Sequence, residues 1–243
     1  MIAEHTTNRT ESTTATAATT HRSPGWPEIL IGMLAYGICF ALVFALLPLA
    51  GGGAAGAIIG LFVSGAMGLI AFAAAWGLRI RDLGAFGIRR VKGSYLWAGA
   101  GLGLVAMLVG STLSVVYVVL SGDMQTPQSS YQAAAAGGAL SLALTLFAGS
   151  VITPIGEEAL FRGVIANVLL RRYGLWIGAF GSAIIFALCH GINTVLPSAF
   201  MVGLVAALIF RRTGSIWPGV VAHAVNNLAS SLLPLAVAAL QLG

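Results

Sequence analysis

The chain of 243 residues is 58% hydrophobic and only 8% charged, with a mean hydropathy of +0.94. A soluble domain carries roughly 25% charged residues, so the composition excludes a water-soluble globular protein and points to an all-α polytopic membrane helical bundle. The net charge of +5 is no sign of a nucleic-acid partner, because the basic residues flank apolar spans and build no basic domain; they read as topology signals.

Residues 1–25 are rich in Thr, Ser and Ala and hold too little apolar sequence for a core, which predicts a disordered tail containing His5 and His21. The first apolar run starts near Ile29 and is long enough to span, unlike the core of a cleavable signal. The first span is expected from Glu28 to Ala50, before Gly51-Gly52-Gly53, and the second from Ala54 to Trp76. Leu78 to Ser94 then carries Arg79, Arg81, Arg89, Arg90 and Lys92, which puts this loop, and with it the tail, on the cytoplasmic side.

A third span covers Tyr95 to Leu120, and Asp123 is the single charge in the following loop, Ser121 to Ala133, as expected of the outer face. A fourth segment, Ala134 to Ile155, meets Pro154 and Gly156, which predict a bend, and leads into a helix that carries Glu157 and runs to Arg171-Arg172. Leu175–His190, Thr194–Phe210 and Ile216–Leu240 follow, with Arg211-Arg212 in one of the turns. The expectation is seven or eight membrane segments, each of roughly 20 residues, in one helical membrane domain over 26–243.

Trp26, Trp76, Trp97, Trp176 and Trp217 fall near the predicted span ends, where indole rings settle at the headgroups. Cys39 and Cys189 read as buried small apolar residues. Gly56/Gly60, Gly99/Gly103 and Gly174/Gly178 have the small-xxx-small spacing of close helix contacts. The near-exclusive use of Arg over Lys, with much Ala and Gly, suggests a GC-rich genome and a bacterial plasma membrane. No internal repeat of the kind that marks transporters is visible.

Ionisable groups are costly in apolar spans and face a protected interior when present. On a helix Glu158 and Arg162 are four residues apart with the acid first, the favourable order for an ion pair, while Glu157 points about 100° away and is left for chemistry. Past the basic loop the histidines and acids come down to His190, His223, Asp123, Glu157 and Glu158. His190 shares a helix face with Phe186, and His223 with Asn227, since residues four apart project together. Three helices can therefore bring a carboxylate, a histidine, and a histidine with an amide to one pocket, enough to activate a water and stabilise an oxyanion.

Glu157, His190 and His223 also form a donor set for zinc with one open position, although no HExxH segment is present. Asn193 and Asn226 match no such pattern and read as turn or helix-end hydrogen bonders.

Taken together, these residues resemble the CPBP intramembrane proteases, also called the CAAX protease and bacteriocin-processing or Abi family. EExxxR appears as Glu157-Glu158-Ala159-Leu160-Phe161-Arg162, FxxxH as Phe186 to His190, and the late histidine with an asparagine four positions on as His223 and Asn227. The resemblance covers about residues 150–230. It implies an intramembrane endopeptidase in which Glu157 is the catalytic base, His190 its partner at the water, and His223 with Asn227 the oxyanion side. Glu158 and Arg162 correspond to the motif's second acid and arginine, and Phe186 to a wall of the pocket.

Family members have been discussed both as zinc enzymes and as metal-free glutamate proteases, and the motifs leave both open. The expected partner is a membrane-associated protein or peptide, cut at or just within the cytoplasmic leaflet. Two other readings use the same pocket: a non-proteolytic bacteriocin-immunity or scaffold protein, and a proton-relaying transporter.

Overall fold

The computed structural model describes residues 23–50, 53–124 and 128–241; the tail expected to be disordered, with His5 and His21, lies outside them up to residue 22. Among the described residues the regular structure is helical, without a strand. Helix α1 (Trp26–Leu46) opens on Pro27, whose missing N–H costs nothing in a first turn, and on Glu28, whose Oε2 accepts from the Gly25 N–H at 2.7 Å. Helices α2 (Gly53–Arg79) and α3 (Gly93–Ser121) follow as long apolar rods.

The loop predicted after α3 contains a short helix, α4 (Gln128–Ala135), with Ala134 and Ala135 buried. Next comes a continuous run built of α5 (Ala139–Phe147), α6 (Thr153–Leu160) and α7 (Asn167–Leu188), joined by π-helical turns at Ala148–Ile152 and Phe161–Ala166. Helices α8 (Leu196–Thr213) and α9 (Trp217–Gln241) complete the fold.

Among the described residues six helical runs are long and apolar enough to cross a membrane, against the seven or eight segments predicted. The 50 residues from Ala139 to Leu188 count as one of these runs, although they hold two helices joined at a kink. Bends expected at Pro154 and Gly156 are absorbed by π turns that keep the helix going. The chain reverses only at Gly174, where φ 80° and ψ −173° leave the helical region and Gly178 packs against the backbone of Leu170.

Large apolar side chains such as Phe44, Leu108 and Leu120 are exposed on the outside of the bundle, as a lipid-facing surface requires. Inside, small residues let backbones approach. Gly65 and Gly68 of α2 press on the backbone of Ile152 and Gly156, and Gly99 and Gly103 of α3 on the carbonyls of Pro218 and Ala222 in α9. Cys39 and Cys189 are free thiols and half-buried rather than buried, at the margin of the apolar core.

One end of the bundle collects the arginines. Arg79 pairs with Glu28 through Nε–Oε1 at 2.6 Å and Nη2–Oε2 at 2.9 Å. Arg89 caps α8 by donating to the Gly214 carbonyl at 2.8 Å. Arg171, beside Ser23, and the exposed Arg211 and Arg212 line a cleft there together with Arg89 and Asp82. Glu28 is wholly buried by its arginine, a role its position at the head of the first span did not announce.

Candidate active site

The paired carboxylates sit on α6, between the two π turns. Pro154 has no N–H to give to the helix ladder, and the wider π turn before it accommodates that missing bond. Gly156 lets α6 lie directly on α2, because a Cβ there would overlap the Gly65 carbonyl oxygen. Thr153 fastens the same contact, its hydroxyl donating to the Leu61 carbonyl at 2.8 Å. Residues 156–170 are buried without interruption, so charged groups on this stretch must find partners within the protein.

Glu158 has two partners on one oxygen. Its Oε1 lies 3.0 Å from Arg162 Nη1, the i,i+4 ion pair expected from sequence, and 3.1 Å from His223 Nδ1. The second contact has no signature in the sequence: it ties α9 to α6 and presents the other ring nitrogen of His223 to Glu157. Beneath the guanidinium lies the Phe186 ring, 4.5 Å from Arg162 Cζ, and the same ring packs edge-on against Phe161, His190 and His223. Phe186 thus sets the positions of both imidazoles and the cation, beyond shaping a wall.

Glu157 is 2% exposed. Its Oε1 accepts from the Ser64 hydroxyl at 2.8 Å, while its Oε2 has no hydrogen-bond partner and faces two imidazoles, 3.9 Å from His190 Nε2 and 3.8 Å from His223 Nε2. Both separations are too long for direct hydrogen bonds. His190 Nδ1 lies 2.9 Å from the Phe186 carbonyl, which can only accept, so Nδ1 carries a hydrogen and Nε2 is the ring nitrogen that faces the site.

Asn227 donates to the Gly149 carbonyl at 2.9 Å and accepts from Asn226 at 3.1 Å. Asn193 behaves as read from sequence, bonding the His190 carbonyl and the Val195 N–H. Asn226 does not: it lies inside α9, buried, with its Oδ1 unpartnered.

These groups line a cavity of about 300 Å³ that extends between α2, α4, α5, α8 and α9. Ser64, Tyr131, Gln132 and Thr145, none singled out from sequence, are part of its wall. Ser64 did leave a signal, as the one hydroxyl residue of α2; the α4 residues left none, since they sit in what reads as a loop. Burial, and after it the charge of Glu157, hold the Tyr131 phenol above its ordinary range, so it stays a neutral O–H donor.

The zinc expectation for Glu157, His190 and His223 meets the right donor types. Ligands bound to zinc at about 2.0–2.2 Å stand about 3.4 Å apart in a tetrahedron, and Glu157 Oε2 lies 3.9 and 3.8 Å from the two Nε2 atoms. Among the described residues no group of three His, Cys, Asp or Glu is arranged to hold a metal ion.

The region that carries these residues also matches known proteins in sequence. Residues 139–229 match the family model described as type II CAAX prenyl endopeptidase Rce1-like. A Bacillus subtilis (strain 168) protein named "Putative membrane peptidase YdiL" is 26% identical over 134 residues, 55% of this chain and 54% of that protein. An Escherichia coli protein named "Uncharacterized 24.3 kDa protein" is 33% identical over 85 residues, 33% of this chain and 39% of its own length. The chain thus spans about half or less of these curated relatives. No solved structure matches at a significant level.

Proposed function

The chain belongs, through residues 139–229, to the CPBP/CAAX protease family, and from that premise we propose that it hydrolyses a peptide bond of a membrane-associated protein or peptide with a water activated by Glu157. The observation that carries this is the unpartnered Glu157 Oε2 facing the Nε2 atoms of His190 and His223 across 3.8–3.9 Å. Such a gap suits a water hydrogen-bonded to the carboxylate and an imidazole together. Ser64 holds the other carboxylate oxygen, so the base presents one defined oxygen to the site.

In the reaction the water oxygen attacks the peptide carbonyl carbon as its proton passes to Glu157 Oε2. His223 Nε2–H and an N–H of Asn227 then donate to the carbonyl oxygen as it becomes an oxyanion. Glu157 returns the proton to the amide nitrogen as the C–N bond breaks, which yields a carboxylic acid and an amine. Glu158 and Arg162 act through His223, fixing its ring, and touch no substrate.

The test is cleavage of a membrane-tethered peptide library by the purified, reconstituted protein. Wild type is expected to cleave, and Glu157→Gln and His190→Ala to lose turnover while keeping the wild-type melting temperature. Cleavage by both variants at the wild-type rate would sink the mechanism, and no cleavage by folded wild type would shift weight to a binding role for the pocket.

A further inference from the structure

The arginines and the cavity lie towards opposite ends of the bundle. From Glu157 the cavity wall follows α6 and α5 backwards through Thr153 and Gly149 to Thr145, and α9 forwards from His223 to Ser231. Both directions lead away from the helix ends that carry Arg79, Arg171-Arg172 and Arg211-Arg212. In the other direction the Glu157 helix is buried through Leu170, and the cleft at the arginine end shares no lining residue with the cavity. The side open to the site is therefore the one without the basic residues.

Hollow space continues on that side. A second cavity of about 360 Å³ between α3, α8 and α9 shares Gln128, Gln132, Val195, Ser198 and Ser230 with the first. Two buried polar groups in the Glu157 cavity, Thr145 Oγ1 and Asn226 Oδ1, have no hydrogen-bond partner. A hydroxyl and an amide oxygen suit the carbonyl and N–H of an extended backbone. A helical transmembrane segment offers neither, because its backbone groups bond one another.

Basic loops mark the cytoplasmic side. We propose that the cavity takes an extended peptide segment from the non-cytoplasmic face, past α4, and not from the cytoplasmic leaflet that the family resemblance implies. That the segment is then cut rests on the peptidase reading above; the side of access does not.

Access is read by cysteine labelling of the full chain in bacterial cells with a membrane-impermeant maleimide, in a Cys39→Ala, Cys189→Ala background. Labelling needs no catalysis, so a failed peptidase assay leaves its result intact. Ser129→Cys on the exposed face of α4 and Ser230→Cys in the cavity are expected to label in intact cells, and Arg212→Cys only in inside-out vesicles. The reverse pattern would overturn the orientation. Ser129→Cys labelling from outside while Ser230→Cys labels only from inside, or from neither side, would overturn the route. Ser231→Cys gives the same reading of the cavity if Ser230→Cys does not accumulate in the membrane.

Discussion

Ser64 and Glu157, 93 positions apart in sequence, are joined by a 2.8 Å hydrogen bond that fixes one oxygen of the carboxylate and leaves the other for the site. A hydrogen bond to a charged group contributes about 1.5–3 kcal/mol, and each 1.36 kcal/mol in a barrier is about tenfold in rate. Ser64→Ala is therefore expected to lower kcat by roughly ten- to a hundredfold with KM little changed, and Ser64→Thr to restore much of the loss. Unchanged kcat in Ser64→Ala would remove Ser64 from a positioning role.

The buried ion pair makes a second prediction, about stability. Arg162 is 1% exposed and Glu158 fully buried, and the carboxylate serves Arg162 and His223 together. Removing one partner of a buried pair costs about 3–5 kcal/mol, because the other charge is left uncompensated. Arg162→Met should lower the melting temperature in detergent sharply, and the double variant Glu158→Gln, Arg162→Met should recover part of it. A double variant less stable than Arg162→Met alone would mean that the pair is not the source of the loss.

Asn227 is expected to matter for rate more than for stability. Its Oδ1 is held by Asn226 and one of its amide hydrogens by the Gly149 carbonyl, which orients the second hydrogen for an oxyanion. Loss of one such donor costs about 10²–10³ in kcat. Asn227→Ala should show that loss with a near wild-type melting temperature; a large drop in melting temperature with kcat preserved would make Asn227 a helix-joining residue only.

What the sequence makes legible, and what it hides, follows from range. The Glu158–Arg162 pair and the shared faces of Phe186 with His190 and His223 with Asn227 depend on spacing within one helix, which sequence displays directly. Contacts between helices do not: nothing local links Ser64 to Glu157 or Glu158 to His223. The range of seven or eight segments arises because a proline and a glycine read as a break where π turns carry the helix on, whereas the reversal at Gly174 falls between the predicted ends at Arg172 and Leu175. Tyr131 and Gln132 are hidden because a helix of eight residues with few apolar positions reads as a loop.

The crossing of α2 and α6 makes the last prediction. Ser64 reaches Glu157 only because the two backbones touch at Gly65, Gly68 and Gly156. A Cβ on Gly156 would overlap the Gly65 carbonyl, and one on Gly68 the Gly156 carbonyl group; these are backbone atoms, which cannot swing aside as a side chain can. Overpacking costs about 1–3 kcal/mol, and separation of the helices also carries the Ser64 hydroxyl away from Glu157. Gly156→Ala and Gly68→Ala should thus lose both stability and turnover. Gly77, on the same helix with nothing within 4 Å of the place a methyl group would take, is the control, and Gly77→Ala should keep activity and gain up to about 1 kcal/mol from helix propensity. Melting and cleavage measured on the three variants decide the matter: equal behaviour of Gly68→Ala and Gly77→Ala would show that close backbone contact is not what brings Ser64 to the base.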